Sequence, residues 1–350
     1  MVNPVAIGER NVGPGLPCLV IAEAGVNHNG SLEMALRLVE AAAEAGADVV
    51  KFQTFKAEEV VSPIAPKADY QVQTTGGSES QLDMVRKLEL PPKAFAQIER
   101  HCRQRGIVFM STPFDNGSVD LLQELGVVAF KIGSGELTNL PFLSYVATKG
   151  KPLILSTGMS NLQEVTAAVE TVRAAGNREL VILHCVSNYP AAPSNVNLRA
   201  MKTLEDEFGV PVGYSDHTEG IAIPLAAVAL GACIIEKHFT LDRSLPGPDH
   251  RASLEPSELA AMVRGIRSVQ SALGDGRKRP AAEELSTAAV GRRSLVAACD
   301  LRAGTILTEA MIAIRRPGTG LPPSALPQLI SRRLRRDINA GALFTAEMLV

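Results

Sequence analysis

The run Val20-Ile21-Ala22-Glu23-Ala24-Gly25-Val26-Asn27-His28-Asn29 passes from purely apolar residues to a carboxylate, a glycine and an imidazole. The same passage recurs along the chain at Val49–Gln53, Val108–Asp115, Ala129–Glu136, Leu153–Met159, Val181–Tyr189, Val212–Thr218 and Ile234–Phe239. Each of the first seven runs leads into a segment of helical patterning; the eighth does so after a longer insertion. Short apolar runs rich in Val, Ile, Leu and Phe that alternate with helices specify parallel strands. Eight of them predict a closed (β/α)8 barrel, a TIM barrel, with its reactive residues at the carboxyl ends of the strands. Polar groups scattered over most of the chain then belong to one site.

Outward from this pattern, the bulk properties set bounds. The chain has 350 residues, 46% of them apolar, and a net charge of -2. That length suits one large domain and a small one. The charge gives no reason to expect nucleic acid or an anionic membrane as main partner. No N-terminal leader pattern and no bilayer-spanning stretch is evident. Ile221–Ile235 comes closest, but Pro224 and Gly231 interrupt it, so it reads as a buried helix entering a strand. Five dispersed cysteines, Cys18, Cys102, Cys185, Cys233 and Cys299, argue against a disulfide framework and for a reducing cytoplasm.

Residues 1–273 are read as the barrel, with 1–17 capping its bottom. Ser31 is the expected N-cap of a helix presenting Leu32, Ala35, Leu38, Val39 and Ala42 on one face. Residues 62–81 are long and polar for a barrel loop, which predicts a segment folding over the site. Residues 242–250 are also too elaborate for a simple turn. Residues 274–291 read as a linker rich in Gly, Pro and charge. Residues 292–350 read as a small, mostly β domain with strands at Ser294–Ala297, Ile312–Arg315 and Arg336–Ile338.

Lys51 and Lys131 lie inside apolar runs, and Lys237 at a strand end. An unpaired buried ammonium is costly. Neighbouring strand residues point to opposite faces, so Lys51 and Lys131 can face the barrel mouth. Ser134, Ser156 and Ser215, with Gly133, Gly135 and Gly158, add hydroxyl and backbone donors at the same level. Such a set suits a phosphate or carboxylate ligand. The plainer reading pairs each lysine with a carboxylate as structural glue. His217 and His238 end the last two strands and could share a divalent metal with open positions for water and substrate; either alone could be a hydrogen-bonded rim histidine. His28 could be a supporting donor. Glu23, Glu136 and Glu236 are strand-end carboxylates. Glu23 can act as a base, orient water or hold a hydroxyl, or pair with Lys51 or Lys131. Ser187-Asn188-Tyr189-Pro190 closes the sixth strand, and Gln53, Thr112, Phe114 and Asp249 are further polar or aromatic candidates for sugar hydroxyls and an amide. The run Arg332-Arg333-Leu334-Arg335-Arg336 reads as a solvated face, whereas a Pro-Gly turn would fix the direction of Arg316.

These residues fall in ordered motifs: Ala-Glu-Ala-Gly-Val-Asn-His-Asn-Gly, Lys-Phe-Gln-Thr, Ser-Thr-Pro-Phe-Asp, Lys-Ile-Gly-Ser-Gly-Glu, Ser-Thr-Gly-Met, Gly-Tyr-Ser-Asp-His-Thr, Glu-Lys-His-Phe-Thr-Leu-Asp and Pro-Gly-Pro-Asp-His. Together they resemble the N-acylneuraminate (sialic acid) synthases, and the tail resembles their C-terminal antifreeze-like (SAF) domain. The resemblance covers nearly the whole chain. It implies a condensation of phosphoenolpyruvate with an open-chain N-acylmannosamine-type sugar, assisted by manganese or magnesium and releasing phosphate. By motif position, it implies that Lys51, Lys131, Ser134, Ser156 and Ser215 hold phosphoenolpyruvate, with either Ser187 or Asn188. His217 and His238 would bind the metal. Gln53, Tyr189, Asp249 and Arg316 would hold the sugar. Glu23 would handle the water or the C2 centre, with Thr112, Phe114, Glu136 and Glu236 in support. It also implies a domain-swapped homodimer in which the small domain reaches over the partner's site.

N-acetylmannosamine is the first expectation for the acceptor, giving N-acetylneuraminate. The alternative is a 2,4-diacetamido sugar, giving legionaminic or pseudaminic acid. A phosphorylated aldose finds no additional cationic cluster in the sequence. A non-catalytic sugar- or ice-binding protein would have no use for Glu23, both histidines and both lysines.

Overall fold

The computed structural model describes residues 2–350, with the backbone alone at position 70. Two compact units divide at Gly274/Asp275. In the first, an antiparallel hairpin, β1 (Val5–Ile7) and β2 (Arg10–Val12), precedes eight parallel strands. These are β3 (Leu19–Gly25), β4 (Val49–Thr54), β5 (Val108–Pro113), β6 (Phe130–Ile132), β7 (Leu153–Ser156), β8 (Leu180–Cys185), β9 (Val212–Asp216) and β10 (Ile234–His238). Their order is β5-β4-β3-β10-β9-β8-β7-β6, and β5 lies beside β6 to bring the ring round. Each of the eight runs expected as a barrel strand is one, and the small second unit with its antiparallel sheet completes the predicted fold class.

Alternation along the strands separates two cores. Val20, Ala22, Val50, Phe52, Ile182, Tyr214 and Ile235 face outward and join the helices. Leu19, Ile21, Val49, Met110, Ala129, Ile154, Val181, Leu183 and Ile234 face inward. Val5, Ile7 and Val12 join this inner cluster, so the hairpin plugs the bottom of the barrel. Two positions beyond the inner apolar layer, the same faces carry Glu23, Lys51, Thr112, Lys131, Ser156, Cys185 and Glu236. The period of two that fills the barrel therefore also aims its polar groups into the mouth.

The helices begin where capping chemistry places them. The Ser31 hydroxyl accepts from Met34 N at 3.3 Å and starts Leu32–Glu44, which buries Ala35, Leu38, Val39 and Ala42. Asp115 caps Asn116–Glu124, and Asn161 with Glu164 forms a capping box on Leu162–Ala174. Helix Pro256–Leu273 ends the unit. The excursion after β4 holds three short helices, Ala57–Val60, Asp69–Thr75 and Gln81–Arg86. Among the described residues, no helix is long and apolar enough to cross a membrane.

In the second unit, β11 (Ser294–Ala297) pairs antiparallel with β12 (Ile312–Arg315) over a core that includes Leu295, Leu301, Leu307, Leu334 and Phe344. The third strand expected at Arg336–Ile338 is reduced to one bridge, Leu301 with Ile338. Alternation there is cut short by turns, so no ladder forms. The stretch read as a linker is partly ordered. Helix Glu284–Gly291 lies within it, and the Ala289 carbonyl accepts from Gly318 N at 2.7 Å. Arg332, Arg333, Arg335 and Arg336 are exposed around buried Leu334, a solvated face.

Candidate active site

Strand register brings the charges together. Glu23 lies beside Lys51 on one side and His238 on the other, and Glu236 lies beside Ser215. Lys51 Nζ is 2.5 Å from Glu23 Oε2, donates to Thr112 Oγ1 at 2.9 Å and is 3.8 Å from Glu236 Oε2. Lys131 Nζ is 3.4 Å from Glu236 Oε1, which also accepts from Ser215 Oγ at 3.2 Å. All these residues are buried. Glu236 is therefore the hub between two ammoniums and a hydroxyl, more central than the supporting place expected for it. The two lysines are paired, as the plainer reading has it, and they lie on the strand faces that point into the mouth.

The environment splits the two carboxylates. Burial and the nearby charge of Glu236 raise Glu23 to about 7, although Lys51 pulls it down. Burial also acts on Glu236, but Lys131 and Lys51 outweigh it and hold that carboxyl below its usual range. Two carboxyls pushed apart in this way divide the work: Glu236 stays ionised and Glu23 exchanges a proton near neutrality. Burial lowers Lys131, whereas Glu23 and Glu236 overcome burial at Lys51 and raise it.

The hydroxyls converge one layer away. Ser134 Oγ accepts from Gly158 N at 2.9 Å. A Cβ at Gly158 would sit 2.1 Å from Ser187 Oγ and 2.8 Å from Ser134 Oγ, so only glycine leaves those hydroxyls room. Ser187 thus lies with the serine set, whereas Asn188 is exposed. Ser156 Oγ is buried with no hydrogen-bond partner. A buried orphan hydroxyl at the edge of a charged cluster is what a ligand oxygen would satisfy.

His217 and His238 face one another with ring centroids 5.4 Å apart. Tyr189 packs on both, at 4.0 Å from His217 and edge-on at 5.5 Å from His238. His217 Nδ1 donates to the Val186 carbonyl at 2.6 Å, which leaves the lone pair on Nε2. Burial, then the charges of His217 and Lys51, keep His238 well below its ordinary value, hence neutral. Its Nδ1 is buried without a hydrogen-bond partner, 4.0 Å from Asp249 Oδ2. At His217 burial pulls downward, but the neighbouring Cys185 and the Val186 carbonyl leave the ring raised. A cation would compete with that proton. Two neighbouring imidazoles, one with an orphaned nitrogen, fit a divalent metal. No cluster of three or more metal-ligating side chains exists among the described residues, so water or substrate would complete the shell.

A cavity of about 200 Å³ opens beside these rings, lined by Gln53, Tyr189, His238 and Asp249 together with Phe55, Phe114 and the excursion after β4. Gln53 Nε2 is 3.4 Å from Glu23 Oε1. Burial raises Asp249 to about 6. The segment expected to cover the site does line it, through Gln71 and Gln81. The apolar lining on either side of that segment, Val60, Val61, Met84, Val85 and Leu88, was not singled out by sequence, because apolar residues around a site look like core.

Three residues of the barrel lie outside this cluster. Glu136 sits in the 3-10 turn Ser134–Glu136 and accepts from Asn139 Nδ2 at 2.7 Å, a local tie before the next helix. Lys237 points to the outer face of β10, where it is 2.5 Å from Asp216 Oδ2. His28 Nδ1 accepts from Gly30 N at 3.0 Å within its own turn. Arg316 belongs to the second unit, where it is exposed.

Comparison with known proteins agrees with this architecture. The NeuB family model matches residues 38–278 and the SAF domain model residues 292–350. The N,N'-diacetyllegionaminic acid synthase of Legionella pneumophila is 49% identical over 338 residues, 95% of each chain. Human N-acetylneuraminate-9-phosphate synthase is 37% identical over 327 residues, 93% of this chain and 90% of that one. The crystal structure of N-acetylneuraminic acid synthetase from Leptospira borgpetersenii superposes with a TM-score of 0.72 at 36% identity, covering 82% of this chain and 95% of that one. Matched along both its units, the chain belongs to the NeuB family of enzymes and carries a SAF domain.

Proposed function

We propose that this enzyme condenses phosphoenolpyruvate with the open-chain aldehyde of a 2,4-diacetamido-2,4,6-trideoxyhexose and water, giving N,N'-diacetyllegionaminic acid and phosphate. The buried Glu23–Lys51–Glu236–Lys131 cluster at the strand ends carries the reaction class. The choice of acceptor rests on similarity: 49% identity to a diacetyllegionaminic acid synthase against 37% to a neuraminate-9-phosphate synthase. N-acetylmannosamine, the first expectation from sequence, thereby becomes the second.

In this reading Lys51 and Lys131 hold the phosphate and carboxylate of phosphoenolpyruvate. The hydroxyls of Ser134, Ser156, Ser187 and Ser215 complete its shell; exposed Asn188 is less suited. Glu236 keeps both lysines charged and in place. C3 of phosphoenolpyruvate bonds to the aldehyde carbon, whose oxygen takes up a proton to become a hydroxyl, while water adds to C2 and gives a proton to Glu23. The C2–O bond to phosphate then breaks, and the departing phosphate takes the proton lost by the C2 hydroxyl, leaving the 2-keto acid. Gln53, Tyr189 and Asp249 hold the sugar. His217 and His238 would hold manganese or magnesium, which when bound polarises the aldehyde. Thr112 steadies Lys51, Phe114 shapes the cavity, and the reducing cytoplasm is the proposed compartment.

Glu23 gives a pH test. As a base it works ionised, so kcat/KM should fall about tenfold per unit below pH 7, following its value of about 7. Glu23→Gln should remove activity and that limb together. A limb unchanged in position in the residual activity of Glu23→Gln would assign it to another group. The linkage to stability runs the other way. A carboxyl raised from 4.5 to about 7 stabilises the fold fully below pH 4.5 and loses that contribution as pH rises through 7.

The small domain enters through Arg316, proposed to reach the sugar across a homodimer. A chain ending at Gly274 should keep the barrel and lose most activity. Arg316→Ala should impair use of the sugar more than use of phosphoenolpyruvate. Mixed dimers of Arg316→Ala and Glu23→Ala subunits should regain activity, because one site then holds both residues. No recovery in proven mixed dimers would place the arginine in its own subunit's site or in none.

A further inference from the structure

The cavity beside His238 and Asp249 has a second wall that takes no part in the chemistry. The excursion after β4 folds so that Val60, Val61, Met84, Val85 and Leu88 line it. Leu88 packs with Val26 and Phe55, which line the same cavity. Val61, Met84 and Leu88 are only 7%, 4% and 8% exposed. This wall is therefore part of the packed structure. Apolar side chains facing an open space forgo dispersion contacts until something apolar fills it.

The charges of the same segment are already engaged. Lys56 pairs with Glu89, Lys67 and Lys87 with Glu79, and Arg86 with Glu58 and Asp83. These are all the lysines and arginines between positions 55 and 90. Among the described residues, no lysine or arginine lines the cavity. An anionic substituent placed here would lose its hydration without meeting a free cation, a costly exchange. The barrel side contributes Gln53, Tyr189, His238 and Asp249, and the excursion adds the amides of Gln71 and Gln81 beside its five apolar side chains. An acceptor whose aldehyde lies at His238 would extend its far carbons toward the excursion that lines the rest of the cavity.

We infer that Val61, Met84 and Leu88 form the wall that selects the acceptor by its far end. They favour a sugar ending in methyl groups, from a 6-deoxy carbon or an acetamido group, over one ending in a hydroxymethyl or phosphate. This rests on the reading of the site as a phosphoenolpyruvate-dependent sugar synthase. A methyl group in such a pocket is worth roughly 10–200-fold in discrimination.

The test compares kcat/KM, at saturating phosphoenolpyruvate, for the 2,4-diacetamido-2,4,6-trideoxy sugar, N-acetylmannosamine and N-acetylmannosamine 6-phosphate. The full-length native enzyme should prefer them in that order. Met84→Gln keeps length and Val61→Thr keeps volume, and each introduces a polar atom into the wall. Each should reduce the ratio of the first acceptor to the second by roughly tenfold, with KM for phosphoenolpyruvate unchanged. An unchanged ratio in both variants, folded by circular dichroism, would overturn the wall's role and leave the proposed reaction standing. Equal losses on both acceptors would also overturn it. Native enzyme that uses N-acetylmannosamine but not the diacetamido sugar would instead overturn the proposed acceptor, and the wall's selectivity with it. Preference for the 6-phosphate would show that a cation reaches this wall and would equally contradict the inference.

Discussion

His238→Ala should lower turnover by about 10²–10³-fold, the loss typical when a group stabilising a developing oxyanion is removed, while the barrel stays folded. His238 is neutral, buried and holds an unpartnered Nδ1, so no structural hydrogen bond at that atom is lost with the ring. His217→Ala should match it in turnover but cost more stability, because its Nδ1 bond to the Val186 carbonyl goes too. A chelator should reproduce the loss in native protein, and manganese or magnesium should reverse it. Full turnover in excess chelator, or in either alanine variant, would remove the metal from the account.

The second large effect is expected at Lys131. Lys131→Ala withdraws a charge from the proposed anion site, and charge-assisted contacts are worth about 1.5–3 kcal/mol each. Calorimetry should therefore show phosphoenolpyruvate binding weakened by roughly 10–150-fold. The same change takes from Glu236 one of two ammonium partners. Breaking a buried pair costs about 3–5 kcal/mol when the remaining charge is uncompensated. Lys51 stays at 3.8 Å from that carboxylate, so the stability loss should fall short of this. Lys237→Ala is the control. It breaks a buried pair with Asp216 on the outer face of β10, so it should lower stability without weakening phosphoenolpyruvate binding in the folded fraction. Unweakened binding by Lys131→Ala would reduce Lys131 to structural glue.

The contrast between these lysines shows where sequence was sufficient. Apolar runs ending in polar clusters located every barrel strand, because parallel strands are buried on both faces and cannot carry charge except at a purpose-built end. Glu23 could be read as facing the mouth, since the residues before it are wholly apolar and the strand alternates. Ile-Ile-Glu-Lys-His could not be resolved in the same way. Both Glu236 and Lys237 are charged and buried, and only the register with β9 shows that Glu236 meets Ser215 inside while Lys237 meets Asp216 outside. Glu136 looked like a strand-end carboxylate, but β6 stops at Ile132 and the chain turns before reaching it. The cavity wall from the excursion was invisible for another reason. Val61, Met84 and Leu88 have no chemistry of their own, and their side chains reach the site only through the fold of three short helices.

Phosphate release is the direct test of the central claim. The full-length protein, given phosphoenolpyruvate and manganese or magnesium, should release phosphate when the 2,4-diacetamido-2,4,6-trideoxy sugar is added, in equal amount to the nine-carbon acid formed. N-acetylmannosamine should support it less efficiently, and the reaction without sugar should release little. No sugar-dependent phosphate release with either acceptor, in the presence of metal, would contradict the account.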